Sequence, residues 1–436
     1  AVSLVVGIIV GSGIFKTPPG VFANVPDPFA GLAVWLAGGA VAAVGALVYA
    51  ELATAYPSPA GEYLYLRRAY GPAVGFAFAW AQLAVIRTGA SLAPIAYVFA
   101  DYAHQLRPLG PHSKLVYAAA AIGVLSVVNA LGIHPGRRTQ NALTLAKILG
   151  LAGLVAAGFI LPPVTDRGLT ARPREVSWTL ALVLVLWTYS GWHEAAYVVA
   201  DLRDRSRNFV RAILLGVAAV TGVYLLVNYA VLAGLGFDGV RNSGAVASDL
   251  LGRALGPAGG TAMAWLVVVS TLGAVNGLIL TGGRFFAGFG ALHPGFGWLG
   301  GWRTARGAPL AALAAQAAVS LGMIALVESD AADPFEALVI CTGPVFWFFF
   351  LLTGIALFVL RARDADQPRP FRVPFFPLVG GLFCGACLFM LYESGAYALA
   401  RRPAEAVVVA GLLLAGVPVY VLGRKGADNV RSIAHS

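Results

Sequence analysis

Val10-Gly11-Ser12-Gly13-Ile14-Phe15 interrupts the first of a series of long apolar runs. That run, residues 1–24, is long enough for a membrane helix, which needs about 20 apolar residues. Yet its centre holds two glycines one residue apart, and each costs a helix about 1 kcal/mol relative to alanine. Unwound backbone at membrane depth is tolerated only where it lines a cavity or is buried in protein. A second interruption, Leu186-Trp187-Thr188-Tyr189-Ser190-Gly191-Trp192-His193, falls in the sixth apolar run. Each interrupted run opens a block of five. Breaks at corresponding points of two halves are the best sequence pointer to a transporter binding site.

The rest of the chain fits this frame. Of its 436 residues 59% are hydrophobic and only 11% charged, where soluble proteins carry roughly 25% charge. Mean hydropathy is +0.78. A disordered chain, a coiled coil, a disulfide scaffold and a soluble enzyme are excluded. An all-α integral membrane protein of about twelve spans remains. The runs read as 1–24, 29–55, 72–105, 114–134, 140–162, 177–200, 209–236, 261–290, 308–328, 335–361, 375–398 and 404–423. The longest gap, 237–260, is expected to hold a short surface helix over Ser243–Leu255. The net charge of +10 would suit nucleic acid. The basic residues, however, form short clusters between apolar runs, without interleaved aromatics, so the expected surroundings are the lipid bilayer and no nucleic acid. With a cytoplasmic N-terminus the inside loops and adjoining span ends hold eighteen Lys and Arg, the outside loops and adjoining span ends nine, and three (Lys16, Arg87, Lys147) fall deeper within spans. The positive-inside rule then places both termini in the cytoplasm, with the chain in a plasma membrane or a cell inner membrane.

Five stretches carry a resemblance. Val10–Phe15 followed by Thr17-Pro18, Glu51-Leu52 leading to Pro57-Ser58-Pro59-Ala60-Gly61-Glu62-Tyr63, Trp187–Trp192, Ser270–Asn276-Gly277 with Arg284, and Arg369-Pro370-Phe371-Arg372-Val373-Pro374 stand in this order. Together they resemble the amino acid–polyamine–organocation superfamily, most of all the L-type amino acid transporters and their bacterial relatives. The resemblance runs over essentially the whole chain. It implies a LeuT-type five-plus-five inverted repeat with broken helices 1 and 6. The expected units are residues 1–162 (helices 1–5), 177–361 (helices 6–10), 375–423 (helices 11 and 12) and a cytoplasmic tail, 424–436.

Gly11, Ser12 and Gly13 are candidate substrate residues on physical grounds. Free N–H groups at a helix break, helped by the helix dipole, suit a carboxylate. Glycine lets a ligand approach the backbone closely. Ile9, at the end of the first half-helix, offers carbonyls to an ammonium. Trp187, Thr188, Ser190 and Gly191 form the partner break. By resemblance the carbonyls of Trp187 and Ser190 face the ammonium, and the Trp187 ring is the gate. The family usually has Phe there. Tyr189 belongs to the break but need not face it. The side-chain pocket is expected to involve Thr88, Trp187, His193 and Asn276. Many L-type members carry Asn where His193 stands, and cationic members an acidic residue. For Asn276, helix–helix hydrogen bonding is an equal alternative.

Lys147 lies in the fifth span, and an intramembrane lysine is a functional candidate by default. By resemblance it sits near the first break, where sodium-coupled relatives hold Na⁺, with Ser270 and Thr271 as partners. That implies sodium independence; the alternative is a lysine that snorkels to the interface. Arg87, in the third span, is expected to have a structural or gating role.

No catalytic residue, cofactor or metal is expected. Cys341, Cys384 and Cys387 lie in apolar runs, and His104, His112, His134, His193, His293 and His435 are scattered. The animal L-type transporters that the chain resembles join a single-span partner through a disulfide in the loop between spans 3 and 4; here that loop has no cysteine, so by this resemblance no disulfide-linked heavy chain is expected. The leading reading is a sodium-independent carrier of neutral L-amino acids, an exchanger or proton-coupled. A cationic amino acid or polyamine permease needs an acidic pocket group, for which Glu194 is the nearby candidate. A non-transporting amino acid sensor on the same fold is the other alternative, and a membrane enzyme or channel lacks the necessary groups.

Overall fold

The computed structural model describes residues 11–58, 60–132, 137–162, 164, 176–194, 205–301, 308–328 and 333–422. It is built of helices α1 (Thr17–Ala23), α2 (Pro28–Ala55), α3 (Glu62–Tyr70), α4 (Pro72–Ala81), α5 (Ala93–Leu106), α6 (Ser113–Ala130), α7 (Arg137–Ile160) and α8 (Trp178–Thr188). There follow α9 (Arg205–Arg241), α10 (Val246–Leu292), α11 (Leu310–Glu328), α12 (Pro334–Arg363), α13 (Leu378–Arg401) and α14 (Pro403–Leu414). Among the described residues nine helices are long and apolar enough to cross a membrane, and Leu145–Ile160 is a shorter apolar one. All twelve expected spans carry helix where they are described. Ile9 and residues 195–200 of the sixth span lie outside the described residues.

Several helix ends satisfy their free backbone groups locally. Asp27 caps α2 by accepting from the Ala30 amide at 2.8 Å, with Pro28 in the first turn. Ser177 caps α8, and Asp333 caps α12 ahead of Pro334. Proline in a first turn removes a donor that would have no intrahelical partner. Glycine at positive φ bends the two longest helices, at Gly236 in α9 and at Gly256 in α10. The second bend separates a short helix, Val246–Leu255, from the eighth span, close to the surface helix expected there.

The third span is one apolar element, Pro72–Leu106, but its middle, Gln82–Leu92, is π-helical and joins α4 to α5. The hydroxyls of Thr88 and Ser91 donate to the carbonyls of Leu83 (2.9 Å) and Ile86 (3.2 Å), five residues back in each case. Such segments in α-helices occur frequently at functional sites.

Packing follows one rule. α1 lies against α8, α2 against α9, α5 against α10 and α6 against α11. The first four spans each meet the span five places later. α5, α6, α10 and α11 also pack among themselves.

One end of the bundle is fastened by charge. Glu51, fully buried, accepts from Arg361 (Nε, 2.7 Å), Arg369 (3.3 Å) and the Val373 amide (2.7 Å). Asp364 accepts from Tyr56 and Arg68, each at 2.9 Å. Two of the quoted motifs, around Glu51 and around Arg369, thus meet in one cluster.

Candidate functional site

The two breaks face each other. The first is a 3₁₀ turn, Gly13–Phe15, leading into α1. The second begins where α8 ends, with the Ser190 amide on the Trp187 carbonyl (3.0 Å), Gly191 at φ +110° and the Glu194 amide on the Gly191 carbonyl (3.0 Å). Gly13 sits directly against this break. A Cβ on it would lie 2.9 Å from Trp187 Cζ3, 3.1 Å from the Thr188 methyl and 3.4 Å from Thr188 Cα. The two glycines therefore serve different ends: Gly191 supplies a left-handed conformation, and Gly13 supplies close approach.

Hydrogen bonds join the breaks. Thr17 and Thr188 share one between hydroxyls at 2.8 Å, and the Thr17 hydroxyl also reaches the Gly13 carbonyl at 3.0 Å. Tyr224 of α9 bridges them, taking the Gly11 amide and donating to the Thr188 carbonyl at 3.3 Å. Tyr189 turns away from the break. Its ring packs with those of Trp35 and Tyr224, and its hydroxyl donates to the Trp35 carbonyl at 3.1 Å. The Ser12 hydroxyl is 1% exposed and has no hydrogen-bond partner among the described residues. An unpaired buried hydroxyl costs about 1–3 kcal/mol.

Trp187 closes one side. Its indole N–H donates to the Ala90 carbonyl in the π segment at 2.8 Å, and its ring meets Phe335 edge-on at 4.9 Å. Ser190 and Trp187 border a cleft lined also by Thr342, Phe346 and Phe350. On the Lys16 side of the break lies a cavity of about 470 Å³, bordered by Thr17, Leu184, Asp333 and Phe335. Trp192 and His193 lie in an aromatic cluster. Trp192 meets Tyr49 at 4.9 Å and His193 meets Phe350 at 5.1 Å. The His193 Nδ1 is buried without a partner among the described residues.

Other predicted residues are placed less directly. The Asn276 carbonyl takes a hydrogen bond from Asn129 of α6 at 2.7 Å, the helix–helix pairing weighed for it above. Thr88 donates within its own helix. Lys147 is half-buried on α7, which packs along α10, the helix of Ser270 and Thr271. Thr271 donates to the Val267 and Val268 carbonyls, whereas the buried Ser270 hydroxyl has no partner among the described residues.

An ionic network next to the first break went unrecognised in the sequence. Lys16 ends the 3₁₀ turn, with its amide on the Gly13 carbonyl at 2.9 Å. Its ammonium lies 2.7 Å from Asp101 of α5 and 2.9 Å from Asp333, and Lys114 meets Asp101 at 2.6 Å. Burial alone would raise the Asp333 carboxyl; the Lys16 ammonium outweighs it and holds the group below its ordinary value. Tyr102, beside Asp101, donates to the Phe15 carbonyl at 2.7 Å. α5 thus grips the broken span twice. The signal was a lysine in span 1 and an aspartate in span 3, each costly alone in a membrane and tolerable as a pair. Tyr224 gave no sequence signal, because an isolated tyrosine in an apolar run reads as packing.

Known proteins are similar to this sequence. The profile of a family described as amino acid permease matches residues 1–410. The b(0,+)-type amino acid transporter 1 of Homo sapiens is 33% identical over 387 residues, covering 86% of this chain and 77% of that protein. The large neutral amino acids transporter small subunit 2 of Mus musculus is 32% identical over 445 residues, covering 97% and 80%. With its apolar helices, its paired breaks and this similarity along nearly its whole length, the chain belongs to the amino acid permease family of the amino acid–polyamine–organocation superfamily and is a multi-pass membrane transporter.

Proposed function

We propose that the chain exchanges neutral L-amino acids across the bilayer by alternating access, without sodium. The observation that carries this reading is the pair of breaks packed face to face, with the buried Ser12 hydroxyl between helices and unpartnered among the described residues. Gly11, Ser12 and Gly13 receive the carboxylate. Ile9 and the carbonyls of Trp187 and Ser190 receive the ammonium, and Trp187 gates the site from its seat on Ala90. The relatives named above are amino acid transporters, which supports the same substrate. Sodium independence rests on Lys147, on a helix packed along the one that carries the unpartnered Ser270 hydroxyl. Residues 1–162 and 177–361 act as the two repeats, with α1 and α8 rocking against α5, α6, α10 and α11. Both termini face the cytoplasm. The chain works without a disulfide-linked heavy chain, since its cysteines are Cys341, Cys384 and Cys387, all within spans.

Purified protein in liposomes tests this. Labelled leucine should enter when unlabelled alanine is inside, with or without sodium. Uptake into empty liposomes driven by a pH gradient would replace exchange by proton symport. A sodium requirement would overturn the role of Lys147. No uptake of any amino acid would overturn the transport reading.

A further inference from the structure

We propose that Arg87 makes the carrier reject cationic substrates by occupying, with its own guanidinium, the counter-charge that such a substrate needs. The proposal rests on the transport reading above and names its substrate class.

Glu194 is fixed by the second break itself, through its amide on the Gly191 carbonyl at 3.0 Å. Its side chain is 37% exposed. A partly open carboxylate at the end of the second break could recruit a lysine, arginine or polyamine chain. Arg87 meets it first, with Nη2 4.0 Å from Glu194 Oε1. Arg87 is anchored from other sides. It arises from the π segment, Nη1 donates to Thr281 of the eighth span at 2.9 Å, and the guanidinium lies 6.0 Å from the Phe285 ring. Three residues along, Ala90 holds the Trp187 indole. One stretch of span 3 therefore holds both ends of the break.

Two other carboxylates near the breaks follow the same pattern. Asp101 is matched by Lys16 and Lys114, and Asp333 by Lys16. A cationic substrate must displace a chemically similar group that is tethered, and hence present at high effective concentration. A neutral substrate meets no such competitor. Specificity here is a repulsive element built against the wrong ligand.

The test is uptake of labelled leucine and labelled arginine by the full chain in liposomes. The native protein should take leucine and not arginine. Arg87→Met should raise the arginine-to-leucine ratio about ten-fold or more, the scale on which pocket contacts discriminate. Arg87→Met combined with Glu194→Gln should lose that gain, and Glu194→Gln alone should leave leucine KM unchanged. If Arg87→Met does not fold, Thr281→Val loosens the anchor, and a smaller gain in the same direction is expected. An unchanged ratio in a folded variant, or a gain that persists in the double variant, refutes the proposal. Equal uptake of arginine and leucine by the native protein refutes it too while leaving the transport reading intact. No uptake of either refutes both.

Discussion

Gly13→Ala isolates the role of close approach. Gly13 has no positive φ, so alanine meets no backbone strain there, and the effect of the change is steric. The added carbon would stand 2.9 Å from Trp187 Cζ3 and 3.1 Å from the Thr188 methyl. Carbon atoms prefer about 3.5–4.0 Å, so one wall must retreat. Thr188 is held through its hydroxyl by Leu184 (2.8 Å) and Thr17. Trp187 is held by Ala90 and Phe335. Inserting one carbon into a packed site costs about 1–3 kcal/mol, and a lost indole hydrogen bond about another 1 kcal/mol. If about 2 kcal/mol of this falls on the substrate-bound geometry, leucine affinity drops roughly thirty-fold. Equilibrium binding of labelled leucine to purified protein measures this, with thermal melting of the same sample as a control for folding. Gly13→Val should abolish binding. Native affinity in folded Gly13→Ala would mean that the turn is not where substrate sits.

Lys16→Met removes the shared partner of Asp101 and Asp333; because Lys114 still faces Asp101, the expected loss is about 3 kcal/mol, seen as a lower apparent melting temperature and reversed by Lys16→Arg. Partial burial would raise the Asp364 carboxyl, but the hydrogen bonds from Tyr56 and Arg68 outweigh it and hold the group below its ordinary value. Its stabilising effect is therefore present above about pH 4 and lost as pH falls through the lowered value. Acid melting curves of native protein and Asp364→Asn should converge in that window, and a difference that persists at lower pH contradicts the assignment. Lys147→Ala should alter the pH dependence of exchange or create a response to sodium, and native transport at every pH would reduce Lys147 to packing.

The spans were legible because lipid demands long apolar runs, and the run boundaries at Pro28, Pro72, Pro334 and Pro403 carried their own stop and start signals. The breaks were legible because glycines interrupt the opening span of each five-span block, whereas adjacent glycines elsewhere, such as Gly38-Gly39, stay helical and let Val185 and Thr221 approach closely. The π segment was not legible. Gln82–Leu92 holds Gln82, Arg87, Thr88 and Ser91, but polar residues within a span do not by themselves mark a change of winding, and the hydroxyl bonds that accompany it become visible only in three dimensions. Lys16 was visible as a residue but not as a partner, because Asp101 and Asp333 are remote in sequence and pairing across spans leaves no local pattern. Tyr224 was hidden for the same reason: its role depends on Gly11 and Thr188 arriving at one hydroxyl.

The π segment also governs phase. In a continuous α-helix each residue advances the side chains by about 100°, so the inner and outer ends of span 3 would be locked at a single relative angle. Gln82–Leu92 winds more loosely and sets that angle separately. Phe76 and Phe78, on the α4 side, face Phe289 and Phe349, while Asp101 and Tyr102, on the α5 side, face Lys16 and the Phe15 carbonyl. A residue gained or lost within the loose stretch can be absorbed as a change of winding. The same event within α5 swings Asp101 and Tyr102 off the broken span together. Span 3 thus behaves as two rods on an adjustable coupling, and drift in sequence length is tolerated at the coupling rather than in the rods.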